Sequence, residues 1–313
     1  MKRKITRQKT AYTVTLPIKW IRDHSLEGSD EVEILEDEEG LKITTDNISE
    51  SKKVSLHLKK GIDHYYRINI ENHYLRGDDI LEITFEDKDA MNIIQEIVSN
   101  LNGFEIVKQK DNYCKIAETA HPTIKEVKTI MDRLLNIIKY THTVVLEDII
   151  KNKFDNQKLL DQLISDTRRF SLFCRRAIHK QALISRIEEV FADLLLERLV
   201  ITNYDNYFLY QKLNKIKSDE KINKEVISLY EKSGKLYELF YKMYHKSNTK
   251  EFTEINHLWN KIYFDEGPKL SNKCNEKEFA VIYHSMAYSY IVFLMAQPNT
   301  IKTVDEIRKK YQK

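Results

Sequence analysis

The chain has 313 residues, 42% hydrophobic and 32% charged, with a formal net charge of +3. That apolar share excludes a disordered chain, and a balance so near neutrality points to no partner by itself, so any electrostatic reading rests on where the charges sit. The three cysteines, Cys114, Cys174 and Cys274, are far apart and lack CxxC spacing, which argues against a disulfide framework or a zinc site and for reduced, mostly buried thiols.

The start, MKRKIT, carries no apolar signal segment, and the longest apolar run, at 288–296, falls short of the roughly 20 residues that span a bilayer. A cytoplasmic protein without membrane insertion is expected. Five of the seven glycines lie in the first third of the chain, so turns are frequent early and rare late, and a β-containing start should give way to a long helical part.

Residues 1–46 read as strand, short helix and hairpin. Tyr12, Val14 and Leu16 alternate with Thr13 and Thr15, placing three apolar side chains on one face of a strand. Pro17 ends that strand and suits the first turn of a helix, to which Ile18, Trp20 and Ile21 give a small apolar side. Val32 and Ile34 then face inward on a strand that returns through Leu41 and Ile43. A module this small buries little surface alone, so dimerisation is expected, with Tyr12, Val14, Leu16, Trp20, Val32 and Ile34 as its core. Charge is polarised: Lys2, Arg3, Lys4, Arg7, Lys9, Lys19 and Arg22 stand in the first 22 residues with no acid, while residues 23–46 hold ten acids and Lys42. Two copies of such a basic segment on one side of a dimer make a surface that phosphate backbones select through counterion release.

Residues 47–120 read as a small α+β domain. Val54, Leu56 and Leu58 alternate as a strand, and Ile62, Tyr66, Ile70 and Tyr74 repeat as a helix that Gly77 closes. Leu81, Ile83 and Phe85 form a second strand, Met91 to Leu101 a second helix stopped by Gly103, and FEIVKQK with YCKIAE a closing strand pair. From 121 to 313 the spacing turns to i, i+3, i+4, as in Ile124, Val127, Ile130, Met131, Leu134 and Ile138. This pattern predicts six main helices and a polar tail helix after Pro298, and short connections favour antiparallel bundles.

The segment TVTLPIKW resembles the AbrB/MazE/SpoVT family of DNA-binding domains, in which a basic strand, a strand ending in Leu-Pro, a small helix and a hairpin interlock between two chains as a swapped-hairpin barrel. Arg3 to Thr6 match the first strand, Val14, Leu16, Pro17, Lys19 and Trp20 the central motif, and Asp30, Glu31 and Val32 the start of the hairpin. Ser29 stands where the family has a glycine, with Gly28 one place early, and the loop after the first strand lacks the family's glycines. The helical part resembles PhoU, a regulator of phosphate uptake built from a pair of three-helix bundles, on LISDTRRFSLFCRR and LLLERLVITN. The domain order resembles archaeal proteins that join the two.

Together these resemblances imply an α+β multidomain chain: an AbrB-like DNA-binding and dimerisation domain at 1–46, the small α+β domain, and an all-α PhoU-like domain at 121–313. They imply a transcription regulator of phosphate uptake or phosphate homeostasis that binds double-stranded DNA through Arg3, Lys4, Arg7, Lys9, Lys19 and Arg22. The alternative is an adaptor that contacts a phosphate-transport or signalling protein without binding DNA.

PhoU-like proteins hold iron or zinc clusters on ExxxD pairs, but here Ile201 stands where Asp is expected, and Asp166 is followed by Arg168 and Arg169. No metal or other cofactor is therefore expected. The carboxylate row Glu189, Asp193 and Glu197 reads as a solvated face paired with Arg186 and Arg198 rather than a metal site. Tyrosines between Tyr204 and Tyr244 read as core edges with wet hydroxyls. Without a GxGxxG, a P-loop, a nucleophile elbow or an HExxH, catalysis is not expected.

Overall fold

The computed structural model describes residues 3–9, 11–28, 30–37, 40–44, 51–87, 89–120, 124–181, 186–216, 220–246, 250–297 and 302. It is broadly α+β and mostly helical, and it separates into two compact units, Met1–Lys52 and Lys53–Lys313.

The first unit consists of two hairpins and a short helix. Strands β1 (Ile5–Gln8) and β2 (Ala11–Val14) pair antiparallel, α1 spans Ile18–Asp23, and β3 (Glu33–Asp37) pairs with β4 (Gly40–Thr44). The first strand lies two residues later than the expected Arg3–Thr6. The second stops at Val14, leaving Leu16 half-buried between strand and helix. Pro17 accounts for that stop: it has no N–H for a ladder, its φ of −64° sets the helix entry, and its carbonyl accepts from Ile21 N at 3.1 Å.

In the second unit, β5 (Lys53–Leu58), α2 (Asp63–Leu75), β6 (Ile80–Phe85), α3 (Ala90–Ser99), β7 (Phe104–Lys110) and β8 (Tyr113–Glu118) build a four-stranded sheet of order β5-β6-β8-β7, in which only β5 and β6 run parallel. The apolar positions read from the sequence form its core: Leu58, Tyr66, Ile70, Tyr74, Leu81, Ile83, Phe85 and Ile94 are buried. Gly103 turns the chain out of α3 at φ +83°, and a side chain there would run into the carbonyl of Ala120.

Six helical segments come next: α4 (Ile124–Lys151), α5 (Gln157–Gln181), α6 (Arg186–Lys215), α7 (Lys224–Lys246), a stretch beginning as α8 (Phe252–Asn260), and α10 (Glu276–Met295). The fifth continues through a π-helix (Lys261–Glu266) into α9 (Gly267–Ser271). Pro268 has no N–H to give to Phe264, and the ladder widens just ahead of it. One apolar core, from Val127 to Ala296, runs through all six segments. Helix α10 starts on a capping box, with Asn275 Oδ1 accepting from Glu278 N at 2.9 Å and Glu278 Oε2 accepting from Asn275 N at 3.1 Å. By length and composition it is the one described helix apolar enough to cross a membrane, and half of that window is buried inside the protein.

Sheet and bundle are joined by charge. Arg176 of α5, fully buried, donates to Tyr74 O at 2.5 Å, pairs with Glu118 at 3.1 Å and Asp79 at 3.4 Å, and lies over the rings of Tyr74 and Phe104. Lys180, one turn on, pairs with Asp79 at 2.5 Å and with Glu118. Two cations thus meet two carboxylates. Leu172 of α5, one turn earlier, enters the sheet's own core. Arg168 extends the joint by gripping Glu71 with two N–H groups, Nε at 2.9 Å.

Within the bundle, His142 stacks on Tyr230 at 4.2 Å and approaches Ser233 Oγ at 3.3 Å, where the missing side chain of Gly234 makes room for the ring. Burial lowers the pKa of His142 from 6.5 to about 4. The buried tyrosine hydroxyls expected to be wet bond internally instead: Tyr230 to Asn206 Oδ1 at 2.7 Å and Tyr237 to Leu135 O at 3.0 Å. Cys114 and Cys174 are buried and Cys274 is half-buried, and burial pushes the Cys114 thiol up to about 12.

Candidate nucleic-acid interface

The described residues of the first unit form no buried core. Not one of its residues with a described side chain is buried. Ile5 is 71% exposed, Tyr12 69%, Ile18 63%, Ile34 57%, Leu41 69% and Val14 48%. Of the six residues expected to form a dimer core, Leu16, Trp20 and Val32 are half-buried within the single chain, and Tyr12, Val14 and Ile34 are exposed.

Hairpin register fixes which side each residue takes. Ile5 pairs with Val14 and Arg7 with Tyr12, so these four share one face, while Thr6, Gln8, Ala11 and Thr13 share the other. Thr13 Oγ1 donates to Thr6 O at 3.3 Å on that second face. Arg7 therefore shares its face of the hairpin with Ile5, Tyr12 and Val14. Period two within β2 sorts the residues of β2, but only pairing across the turn assigns those of β1. Lys9 sits at the tip of the hairpin with φ +46°, projecting from the turn. Across the small hairpin, Ile34 opposes Ile43, and Leu41 lies on the same face.

Lys19 and Arg22 are three residues apart on α1 and so neighbour each other along its surface. Trp20 takes another side, its ring tilted against that of His24 with centroids 4.6 Å apart. Arg3, Lys4, Arg7, Lys9, Lys19 and Arg22 are all exposed and make no ion pair among the described residues. Six exposed cations without carboxylate partners among the described residues, on a unit none of whose described side chains is buried, mark this region. The apolar position missed from the sequence here is Ile5, which extending the alternation back through Arg7 would have found; Ile18 and Leu41 were read as apolar but not counted in the dimer core.

The helical region carries the carboxylate row Glu189, Asp193 and Glu197 on α6. Arg175 bridges Asp193 at 3.1 Å and Glu197 at 3.0 Å, and His179 bonds Asp193 at 2.9 Å, so these two carboxylates of the row are held by α5. Arg198 instead donates to Leu294 O at 2.8 Å, and the side chain of Arg186 lies outside the described residues. Asp193 is pushed up by desolvation, but its bond to His179 and the charge of Arg175 hold it below the usual carboxylate range. The same bond raises His179. Asp166 pairs with Arg169 at 2.6 Å, and Ile201 is 44% exposed.

Among the described residues, no group of three or more histidines, cysteines and carboxylates is arranged to hold a metal ion. The cluster of Asp79, Glu118, Arg176 and Lys180 was not foreseen from the sequence. Its one signal was the row Leu172, Arg176 and Lys180, which sets charge on an apolar face of α5.

No protein-family model, no curated protein and no solved structure matches the chain.

Proposed function

We propose that the protein is a dimeric, DNA-binding transcription regulator. Its first 46 residues interlock with those of a second copy as a swapped-hairpin barrel, and its helical domain, organised as a pair of three-helix bundles, relays phosphate status. The observation that carries the reading is a first unit in which no described side chain is buried, whose exposed Ile5, Tyr12, Val14, Ile34 and Leu41 need a partner surface, beside cations that no carboxylate holds among the described residues. A second copy supplies an identical, self-complementary patch. A DNA duplex supplies the phosphates. The link to phosphate rests on the resemblance of the helical domain alone.

Under this reading, Lys9, Lys19 and Arg22 meet the DNA backbone while Arg7 is enclosed at the dimer seam. The test is duplex binding by fluorescence anisotropy across a salt series. The full-length variant Lys9→Glu/Lys19→Glu/Arg22→Glu should remain a dimer yet lose affinity by about tenfold or more, with a shallower salt slope, because each lost phosphate contact removes roughly 0.9 from that slope. Arg7→Glu should instead raise the concentration needed to dimerise. Parent-like affinity in the triple variant at moderate salt would reject the reading.

A further inference from the structure

Helices α6 and α10 lie side by side and antiparallel: Arg198 donates to Leu294 O at 2.8 Å, Asp205 bonds His284 at 2.7 Å, and Lys212 pairs with Glu276 at 3.0 Å. On α6, Val190, Leu194, Ile201 and Phe208 follow one stripe and are 42–56% exposed. On α10, Phe279, Tyr283 and Tyr290 follow another and are 43–58% exposed, with the half-buried Ala287 and Leu294 continuing it.

Both stripes open on the same side of the pair. At about 100° per residue, Ile201 and Phe208 lie about 40–60° back around α6 from Asp205, and Tyr283 and Tyr290 lie about 100–120° back around α10 from His284. Between antiparallel helices, offsets of the same sense lead to the same side, so the two stripes make one surface. Tyr290 extends it: its ring is 5.9 Å from that of Tyr263, which lies 5.0 Å from Phe264, itself 62% exposed.

Area and charge point to what this surface takes. A half-exposed aromatic ring leaves about 100 Å² open, so these aromatic side chains with the three aliphatic ones on α6 present roughly 600 Å² of apolar area. One partner of a standard interface contributes about 800 Å², of which about 500 Å² is apolar. Between Phe279 and Met295, α10 has no aspartate, glutamate, lysine or arginine, and the one acid on the α6 stripe, Glu197, is held by Arg175 at 3.0 Å. A surface that meets its own image across a two-fold axis meets its own sign, so self-association requires a patch this poor in charge.

We propose that this face of the α6–α10 pair is an interface between two copies of the chain, which pack two helices against two about a two-fold axis. It uses none of the residues of the first-unit seam, so either contact can be lost without the other.

The test is hydroxyl-radical footprinting of the full chain, read by mass spectrometry, in dilute and in concentrated solution. Phe208, Phe279 and Tyr283 should react at least about threefold more slowly when concentrated, while Tyr140 on α4, 51% exposed, should not change. Full reactivity at every concentration would overturn the proposal, and so would protection at every concentration, which would assign the face to a segment of the same chain. Phe208→Lys/Tyr283→Lys alters only exposed side chains and should raise the concentration needed for association, read by sedimentation, by at least about tenfold while leaving thermal unfolding in dilute solution unchanged. Both measurements are repeated with Tyr12→Lys/Ile34→Lys, which opens the first-unit seam, so that association there reports the α6–α10 face alone. A chain that stays monomeric in that background, or association indifferent to Phe208→Lys/Tyr283→Lys, would overturn the proposal.

Discussion

The two compact units use the same residue types to opposite ends. In residues 3–44, the described arginines and lysines are exposed without ion-pair partners among the described residues, and apolar side chains such as Ile5 and Tyr12 are uncovered; from Lys53 onward, Arg176, Lys180 and Arg168 are locked onto carboxylates between two cores. The second unit buries two apolar cores and pairs these cations within the chain. The first has left both open, and a surface left open in both respects is organised for something other than its own stability. The distinction is energetic, so substitutions of equal chemistry in the two units should give unequal effects.

The largest effect is expected at Arg176. Arg176→Leu removes the fully buried cation that Asp79 and Glu118 share. Breaking a buried pair from one side costs about 3–5 kcal/mol because a charge is left uncompensated in the interior. Denaturant unfolding should show that loss, while Arg22→Leu in the first unit should leave the midpoint where it was. Equal shifts for the two arginines would erase the contrast between the units.

A second effect belongs to the bundle core and is set by pH. The folded protein holds His142 neutral down to about pH 4, whereas the unfolded chain takes up that proton at the ordinary value of 6.5. Between those values the unfolded state binds more protons, so stability rises with pH across the window, and acidification from 7 to 4 withdraws ~3 kcal/mol through this one group. His142→Gln should flatten the dependence of unfolding free energy on pH by that amount between 6.5 and 4. Parallel curves for variant and parent would remove the histidine from the account.

The range of each interaction decides how much of it was legible in the sequence. The middle domain could be read because its signals are local: Val54, Leu56 and Leu58 alternate, Tyr66, Ile70 and Tyr74 repeat every four residues, and Gly77 and Gly103 take positive φ where each helix stops. The helices of the bundle were legible for the same reason, although the periodicity gave no sign of the widened turn before Pro268. The joint between sheet and bundle was hidden because Arg176 meets Tyr74 across 102 positions of sequence, and no local period carries that pairing. In the first unit the apolar alternation was readable, but the side taken by Arg7 depends on a register fixed across the turn at Lys9.

The smallest expected effect lies between the two extremes and is the most sensitive gauge of the contrast. Arg175 bridges Asp193 and Glu197, but the Glu197 side chain is 52% exposed and that of Asp193 only 29%. An ion pair so open to water contributes little once solvent screening is counted, so Glu197→Gln should cost no more than about 0.5 kcal/mol, and less at high salt. Asp193→Asn should cost more, since it also removes the partner of His179.

The pH signs differ within that second bond. The raised His179 adds stability below its ordinary value and loses it as pH climbs through the folded value; the depressed Asp193 adds stability above the usual carboxylate range and loses it as pH falls. Asp193→Asn should therefore be most harmful in mildly acidic solution, between the two titrations, and Glu197→Gln nearly indifferent there. If instead Glu197→Gln matched Arg176→Leu, burial would not be what separates the settled charges of the second unit from the open ones of the first.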